Sequence, residues 1–347
     1  MSKKLTEFNP GSGCGCKMSP AELREMLDGS GQPMSFNQLL IGHGTSDDAA
    51  VWEREDGSLL LHTTDFFTPI VDDAFDFGRI AATNALSDIY AMGGKPTTAL
   101  AILGWPVDDL PLNQASQVIA GAREVCHDAG IPLAGGHSIN LPSPIFGLSV
   151  TGEATASTLI SNAGAQPGDI LFLTKPLGIG MMATAIKKGT ASNEDIQWSI
   201  DVMARLNNIG PSLAELEGVH AMTDITGFGL LGHVLEMCRA SEVSVILDWE
   251  HIPSIEPQRL DELVSSFCLP QGTTKNYSAF VQHVNTLNGK ELALLCDPQT
   301  SGGLLISVAP KLADIVATML NDHNWHSEPI GHVTTAQSPQ VTLKRKD

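Results

Sequence analysis

The chain has 347 residues, 42% of them apolar and 17% charged, with 39 acidic against 20 basic side chains and a formal net charge of −19. At ~150 residues per domain this length predicts two domains with real cores, and the composition excludes a disordered chain, a coiled coil and a collagen-like fibre. So acidic a surface repels nucleic-acid phosphates and anionic membranes, so an anionic substrate must be met locally, through a metal ion or backbone amides. No stretch approaches the ~18 consecutive apolar residues of a membrane helix. The basic N-terminus lacks the apolar core of a signal peptide, and the expected location is cytoplasmic.

Residues 1–20, rich in Gly, Ser and Lys, read as a mobile arm. A short helix is predicted over 21–29. Strands follow at 49–52 and 58–64, separated by the Asp56-Gly57 turn. Residues 76–92 read as a helix ending at Gly93-Gly94. Next come a strand at 97–104, a helix at 112–129, a short strand at 131–134 and a strand at 145–152. Residues 154–168 are small and polar and end in Pro-Gly, the best domain boundary. A strand at 169–174 opens the second half, with helices near 179–188, 194–207 and 211–217. Leu230, Leu231, Val234, Leu235 and Cys238 form a helical stripe over 228–240. Residues 253–278 read as irregular. A strand at 303–308, a helix near 310–323 and a strand near 329–333 close the chain. The predicted class is therefore α/β or α+β, as an arm (1–20), an N-terminal domain (21–156) and a C-terminal domain (168–347).

There is no Walker A sequence, no H-E-x-x-H, no G-x-S-x-G and no kinase signature set. The carboxylates say more. Asp47 and Asp48 precede an apolar strand, and in extended chain their side chains point to opposite faces and take different jobs. Asp65 ends the next strand. Asp88 lies inside an apolar helix, one turn after Asn84 on the same face, where an unpaired charge is costly. Asp224 precedes a glycine turn and helix, where a helix cap is an equally good reading. Acids at strand ends and before glycine turns suit Mg²⁺, which takes few carboxylates and bridges substrate phosphates. Three glycine segments, at 133–138, 226–229 and 299–303, are candidate phosphate cradles, and ordinary tight turns explain each as well. His137 alone reads as a hydrogen-bonded structural histidine or a catalyst.

Six cysteines in a chain this long are not a disulfide scaffold. Cys126, Cys238, Cys268 and Cys296 stand singly in apolar contexts and read as buried thiols. Cys14 and Cys16 lie in Gly-Cys-Gly-Cys-Lys, where a glycine-flanked thiol beside Lys17 should have a depressed pKa and act as a nucleophile or soft-element ligand. The alternative is a metal-binding C-x-C pair, although no second pair at zinc spacing exists.

Taken together, GCGCK at 13–17, SDDAAV at 46–51, TTDFF at 63–67, FGRIAATNALSDIYAMGGKP at 77–96, LAGGHSI at 133–139, LTKPLGIG at 173–180, MTDITGFGLLGH at 222–233 and CDPQTSGGLL at 296–305 resemble the selenophosphate synthetase (selenide, water dikinase) family across nearly the whole chain. Aminoimidazole ribonucleotide synthetase and thiamine monophosphate kinase share that fold and part of the aspartate pattern, but not GCGCK. The resemblance implies conversion of ATP, selenide and water to selenophosphate, AMP and phosphate, feeding selenocysteine or selenouridine synthesis. It implies a reactive Cys14 with Lys17, magnesium on Asp48, Asp88 and Asp224, and nucleotide contacts at Lys17, Thr45, Ser46, Asp47, Asp65, Asp88, Gly136, His137 and Ser138. Ser46 stands where the family has arginine, so only a backbone contact carries over there. The implied fold is two α/β domains, with N-terminal strands of two subunits pairing into a barrel in a homodimer. The rival readings are another ATP-dependent kinase or synthetase of this fold acting on an organic substrate, and a non-catalytic thiol carrier of metal or selenium.

Overall fold

The structure, a computed structural model, describes residues 4–8, 18, 20–31, 35–42 and 47–346. Within the segment read as an arm, Leu5–Phe8 forms one 3₁₀ turn with Leu5 buried. Thr6 ties it down, its backbone N–H and its hydroxyl both donating to Asp72. Helix α1 spans Pro20–Gly29.

The first sheet comprises β1 (Leu39–Ile41), β2 (Ala50–Glu53), β3 (Leu59–Phe67), β4 (Lys95–Trp105), β5 (Leu133–Asn140) and β6 (Ile145–Ala154). Their order is β1-β2-β3-β6-β4-β5. Only β4 and β5 run parallel. Helices α2 (Ala74–Ala91) and α3 (Leu112–Asp128) pack on it. The Asp73 carboxylate caps α2 by accepting from the Asp76 N–H at 2.9 Å, which starts the helix before the expected residue 76. Phe77, Ile80, Leu86 and Ile89 are buried in one core with Leu61, Phe146, Leu148 and Val150. The two helices approach closely because Gly78 and Gly121 face the partner backbone. A Cβ on Gly78 would lie 1.9 Å from the Val118 carbonyl oxygen.

The expected short strand at 131–134 is instead the eight-residue β5, running straight through Gly135 and Gly136. Strand pairing overrides the turn propensity of two glycines, and a Cβ on Gly136 would lie 2.1 Å from the Ala101 carbonyl oxygen of β4.

The second sheet comprises β7 (Ile170–Leu173), β8 (Val219–Asp224), β9 (Val243–Asp248), β10 (Leu304–Val308), β11 (Pro329–Thr335) and β12 (Val341–Lys344). Their order is β12-β9-β11-β7-β10-β8. Helices α4 (Ile179–Lys188), α5 (Asn193–Met203), α6 (Gly210–Ala214), α7 (Gly229–Ser241), α8 (Pro257–Ser265), α9 (Gln271–Phe280), α10 (Gly289–Leu295) and α11 (Ala313–Asp322) complete this half. Residues 253–278, expected to be irregular, carry α8 and most of α9. Pro257 is the first residue of α8 and Pro270 sits at the N-cap of α9, positions where proline starts a helix. Among the described residues no helix is long and apolar enough to cross a membrane.

Candidate metal and nucleotide site

Helix α2 lies over β3, and their repeats nearly match. Four helical residues rise ~6 Å and two strand residues ~6.7 Å. Asn84 and Asp88 on α2 therefore meet Asp65 and Thr63 on β3: the Asn84 amide donates to Asp65, and the Thr63 hydroxyl donates to Asp88. Asp65 and Thr63 share a face because strand side chains alternate. Phe66, between Asp65 and Phe67, is exposed on the other face.

Asp88 also faces Asp48, just before β2, and Asp224, the last residue of β8. One carboxylate oxygen from each of the three lies within 4.8 Å of the others. Asp224 is buried, and Asp48 Oδ1 accepts from the Thr223 hydroxyl at 2.9 Å. Asp48 Oδ2 is buried without a hydrogen-bond partner among the described residues. Burial, then the negative charges of Asp224 and Asp88, holds the Asp48 carboxyl well above the usual carboxylate range, against the Thr223 hydrogen bond. Three hard oxygen donors, one of them an orphaned buried oxygen, fit a divalent cation such as Mg²⁺. Asp47 points elsewhere, accepting from the Asn162 N–H at 3.0 Å.

Gly136, His137 and Ser138 lie on β5, the exposed edge of the first sheet. Three strand spacings, ~14 Å, separate that edge from β3. The other glycine candidates are occupied by the protein itself. The Thr226 N–H donates to His233 and its carbonyl accepts from Gln299, while residues 299–303 are buried. Cys14, Cys16, Lys17, Thr45 and Ser46 lie outside the described residues. Cys126, Cys238, Cys268 and Cys296 are free and buried as expected. Burial pushes the thiols of Cys126 up to about 11 and of Cys238 and Cys296 up to about 12, which makes them inert.

Lys175 is the residue the motif survey passed over. It follows β7, is 2% exposed, and its Nζ donates to the Ser301 carbonyl at 2.8 Å. Burial lowers its pKa to about 7, against the favourable charge of Asp224. Its signal in the sequence is one lysine set among the apolar residues of DILFLTKPLGIGMM.

The AIR synthase related protein family matches in two parts, its N-terminal domain over residues 46–154 and its C-terminal domain over 166–344. A selenide, water dikinase of Colwellia psychrerythraea is 49% identical over 342 residues, covering 99% of both chains. The chain belongs to the selenide, water dikinase family. Solved structures share its architecture at low identity. A thiamine-monophosphate kinase from Stenotrophomonas maltophilia matches with TM-score 0.66 at 19% identity, over 93% of this chain and 95% of the other. The hydrogenase maturation protein HypE in complex with ATP matches with TM-score 0.63 at 19% identity, over 99% and 95%.

Proposed function

We propose that this enzyme converts ATP, selenide and water to selenophosphate, AMP and phosphate, supplying activated selenium for selenocysteine or selenouridine synthesis. Full-length identity to a selenide, water dikinase carries the reading, and the three-carboxylate cluster supports it.

In this proposal Asp48, Asp88 and Asp224 hold Mg²⁺, which would neutralise phosphate charge and orient the transferred phosphoryl group. Asp65 and Asp88, with Lys17, Thr45 and Ser46, contact the nucleotide, and Asp47, whose carboxylate accepts from the Asn162 N–H, is left out of that set. Lys17 adds positive charge beside the polyphosphate in an acidic chain. A selenide electron pair forms the Se–P bond as the γ-phosphoryl leaves ADP. Water then cleaves the β-phosphoryl of ADP, releasing phosphate and AMP. The Gly-Cys-Gly-Cys-Lys arm closes over the γ-phosphate and excludes water during the first step. Cys14 presents selenium or organises that closure.

The proposal includes a homodimer. Phe66, Leu100 and Ile139, each about half exposed, share one face of the first sheet with Ile102 and His137. In this proposal a second copy covers this face, and the edge residues Gly136, His137 and Ser138 contact the nucleotide. The free thiols suit a reducing compartment, and a cytoplasmic setting is part of the proposal.

The test is phosphorus NMR with ATP, Mg²⁺ and selenide under anaerobic conditions. Selenide-dependent AMP and phosphate with a selenium-coupled phosphorus signal is expected. ATP left intact by folded, nucleotide-binding protein would overturn the reaction and point to an organic phosphoryl acceptor. Cys14→Ser should abolish selenide-dependent turnover, and full turnover would remove both roles of Cys14.

A further inference from the structure

Residues 297–303 form a loop buried along its whole length between the two halves of the molecule. A buried loop must place each polar backbone group, and this one uses side chains from three other segments. Asn207 donates to the Gly302 carbonyl at 2.9 Å and to the Ser87 hydroxyl at 2.8 Å. Lys175 donates to the Ser301 carbonyl, and the Ser301 N–H donates to Asn84 Oδ1 at 2.8 Å. Ser301 has φ of +51°, a left-handed corner that a non-glycine residue holds only when its surroundings impose it. Gly303 packs directly on residue 175, where a Cβ would lie 2.3 Å from the Lys175 backbone nitrogen.

A continuous set of contacts thus runs from the end of β7 to the candidate site. The Lys175 ammonium fixes one side of the Ser301 corner, the other side holds the Asn84 carbonyl oxygen, and the Asn84 amide donates to Asp65. Asn84 is one helical turn from Asp88. A buried ammonium is expensive beside an apolar side chain of the same length, so stability alone does not account for a lysine here.

We propose that Lys175 is a positioning residue for phosphoryl transfer. By pinning the Ser301 corner it holds Asn84, and through Asn84 it sets Asp65 and the α2 turn carrying Asp88 in the geometry that receives cation and nucleotide. The inference rests on the reading of Asp48, Asp88 and Asp224 as the cation site and of Asp65 as a nucleotide contact. It makes Lys175 act at a distance, through the loop, without touching substrate.

The experiment is a double-mutant cycle on the full chain, read by calorimetric binding of the ATP analogue AMPPCP in the presence of Mg²⁺. Lys175→Met and Asn84→Ala should each weaken binding by about 10–100-fold, as loss of a group that orients a ligand typically does. Because the two act in one line, the double variant should bind no more weakly than Asn84→Ala. Losses that multiply, or Lys175→Met binding within about twofold of wild type, overturn the inference. Should Lys175→Met fail to melt cooperatively, Asn84→Ala carries the test alone, and its unaltered binding overturns the inference. Asp48→Asn measured alongside separates the failures. If it loses Mg²⁺-dependent binding while Lys175→Met keeps it, only the role of Lys175 falls. If both bind as wild type does, the cation site and the inference fall together.

Discussion

Asp48→Asn should make the cation-free protein more stable while removing its response to Mg²⁺. The three carboxylates offer oxygens within 4.8 Å of one another. At that separation two ionised groups repel by ~3.5 kcal/mol at an effective dielectric of ~20. Asp48 faces two such groups, and part of the strain is relieved because its carboxyl stays protonated to higher pH than usual. The amide of asparagine keeps an oxygen to accept from Thr223 and repels neither Asp88 nor Asp224. A gain of about 1–3 kcal/mol remains, the share of the repulsion that protonation does not already remove. For a domain of this size that is a rise of about 2–4 °C per kcal/mol. Scanning calorimetry in EDTA, then in Mg²⁺ with AMPPCP, reads both effects. Wild type should gain in melting temperature on adding the cation, and the variant should start higher and gain little. A variant that melts at or below wild type in EDTA and still responds to Mg²⁺ would refute the reasoning.

Three further outcomes follow from single residues. Asp297 is buried at the start of α4, accepting from the Gly180 N–H at 2.9 Å, and burial raises its carboxyl from 3.8 to about 7. Its contribution to stability is therefore complete below pH 3.8 and lost as pH rises through 7. Asp297→Asn should gain on wild type across that window in thermal melts, and a pH-independent difference would contradict this. Gly78→Ala should cost about 2–3 kcal/mol by overpacking, seen as a lower urea midpoint, since α3 backbone occupies the space. An unchanged midpoint would mean that α2 and α3 do not sit this close. Phe66→Asp should convert the proposed dimer to a monomer in sedimentation experiments, and a persisting dimer would place the interface elsewhere.

Local signals were enough for some elements and not for others. Helix α4 is predicted at 179–188 and found there because left-handed glycines, Gly178 and Gly189, bracket it. In β5 the glycines mislead, since extended pairing with β4 is a tertiary effect that composition does not announce. Strands β8, β9 and β12 had no local signature strong enough to name them. In the site, Asp88 was legible as an anomaly, a carboxylate in an apolar helix, and Asp47 and Asp48 take different partners, as expected, although a bend at Asp48 and not extended chain separates them. Lys175 was legible as a lone lysine in an apolar run, but its contact was not. Its partner Ser301 is 126 positions away, and only folding makes them neighbours.

The same acidic charge that repels nucleic-acid phosphates predicts how nucleotide must bind. A thiamine-monophosphate kinase and HypE share this architecture at 19% identity, and shared architecture leaves the reaction to the residues of the site. In this chain the architecture sits in a molecule of net charge −19 and gathers three carboxylates at one point. A phosphate charge ~6 Å from an ionised carboxylate is repelled by ~3 kcal/mol at an effective dielectric of ~20. A factor of ten in affinity is 1.4 kcal/mol, so one such contact left uncompensated weakens binding about a hundredfold. ATP should therefore bind measurably in Mg²⁺ and at least about a hundredfold more weakly in EDTA, by equilibrium dialysis without selenide. Asp48→Asn should narrow the gap from the EDTA side, by removing one repelling charge, and from the Mg²⁺ side, by removing one cation oxygen. ATP affinity equal in EDTA and Mg²⁺ would mean that the polyphosphate does not approach these aspartates, and the proposed cation site would lose its role in the reaction.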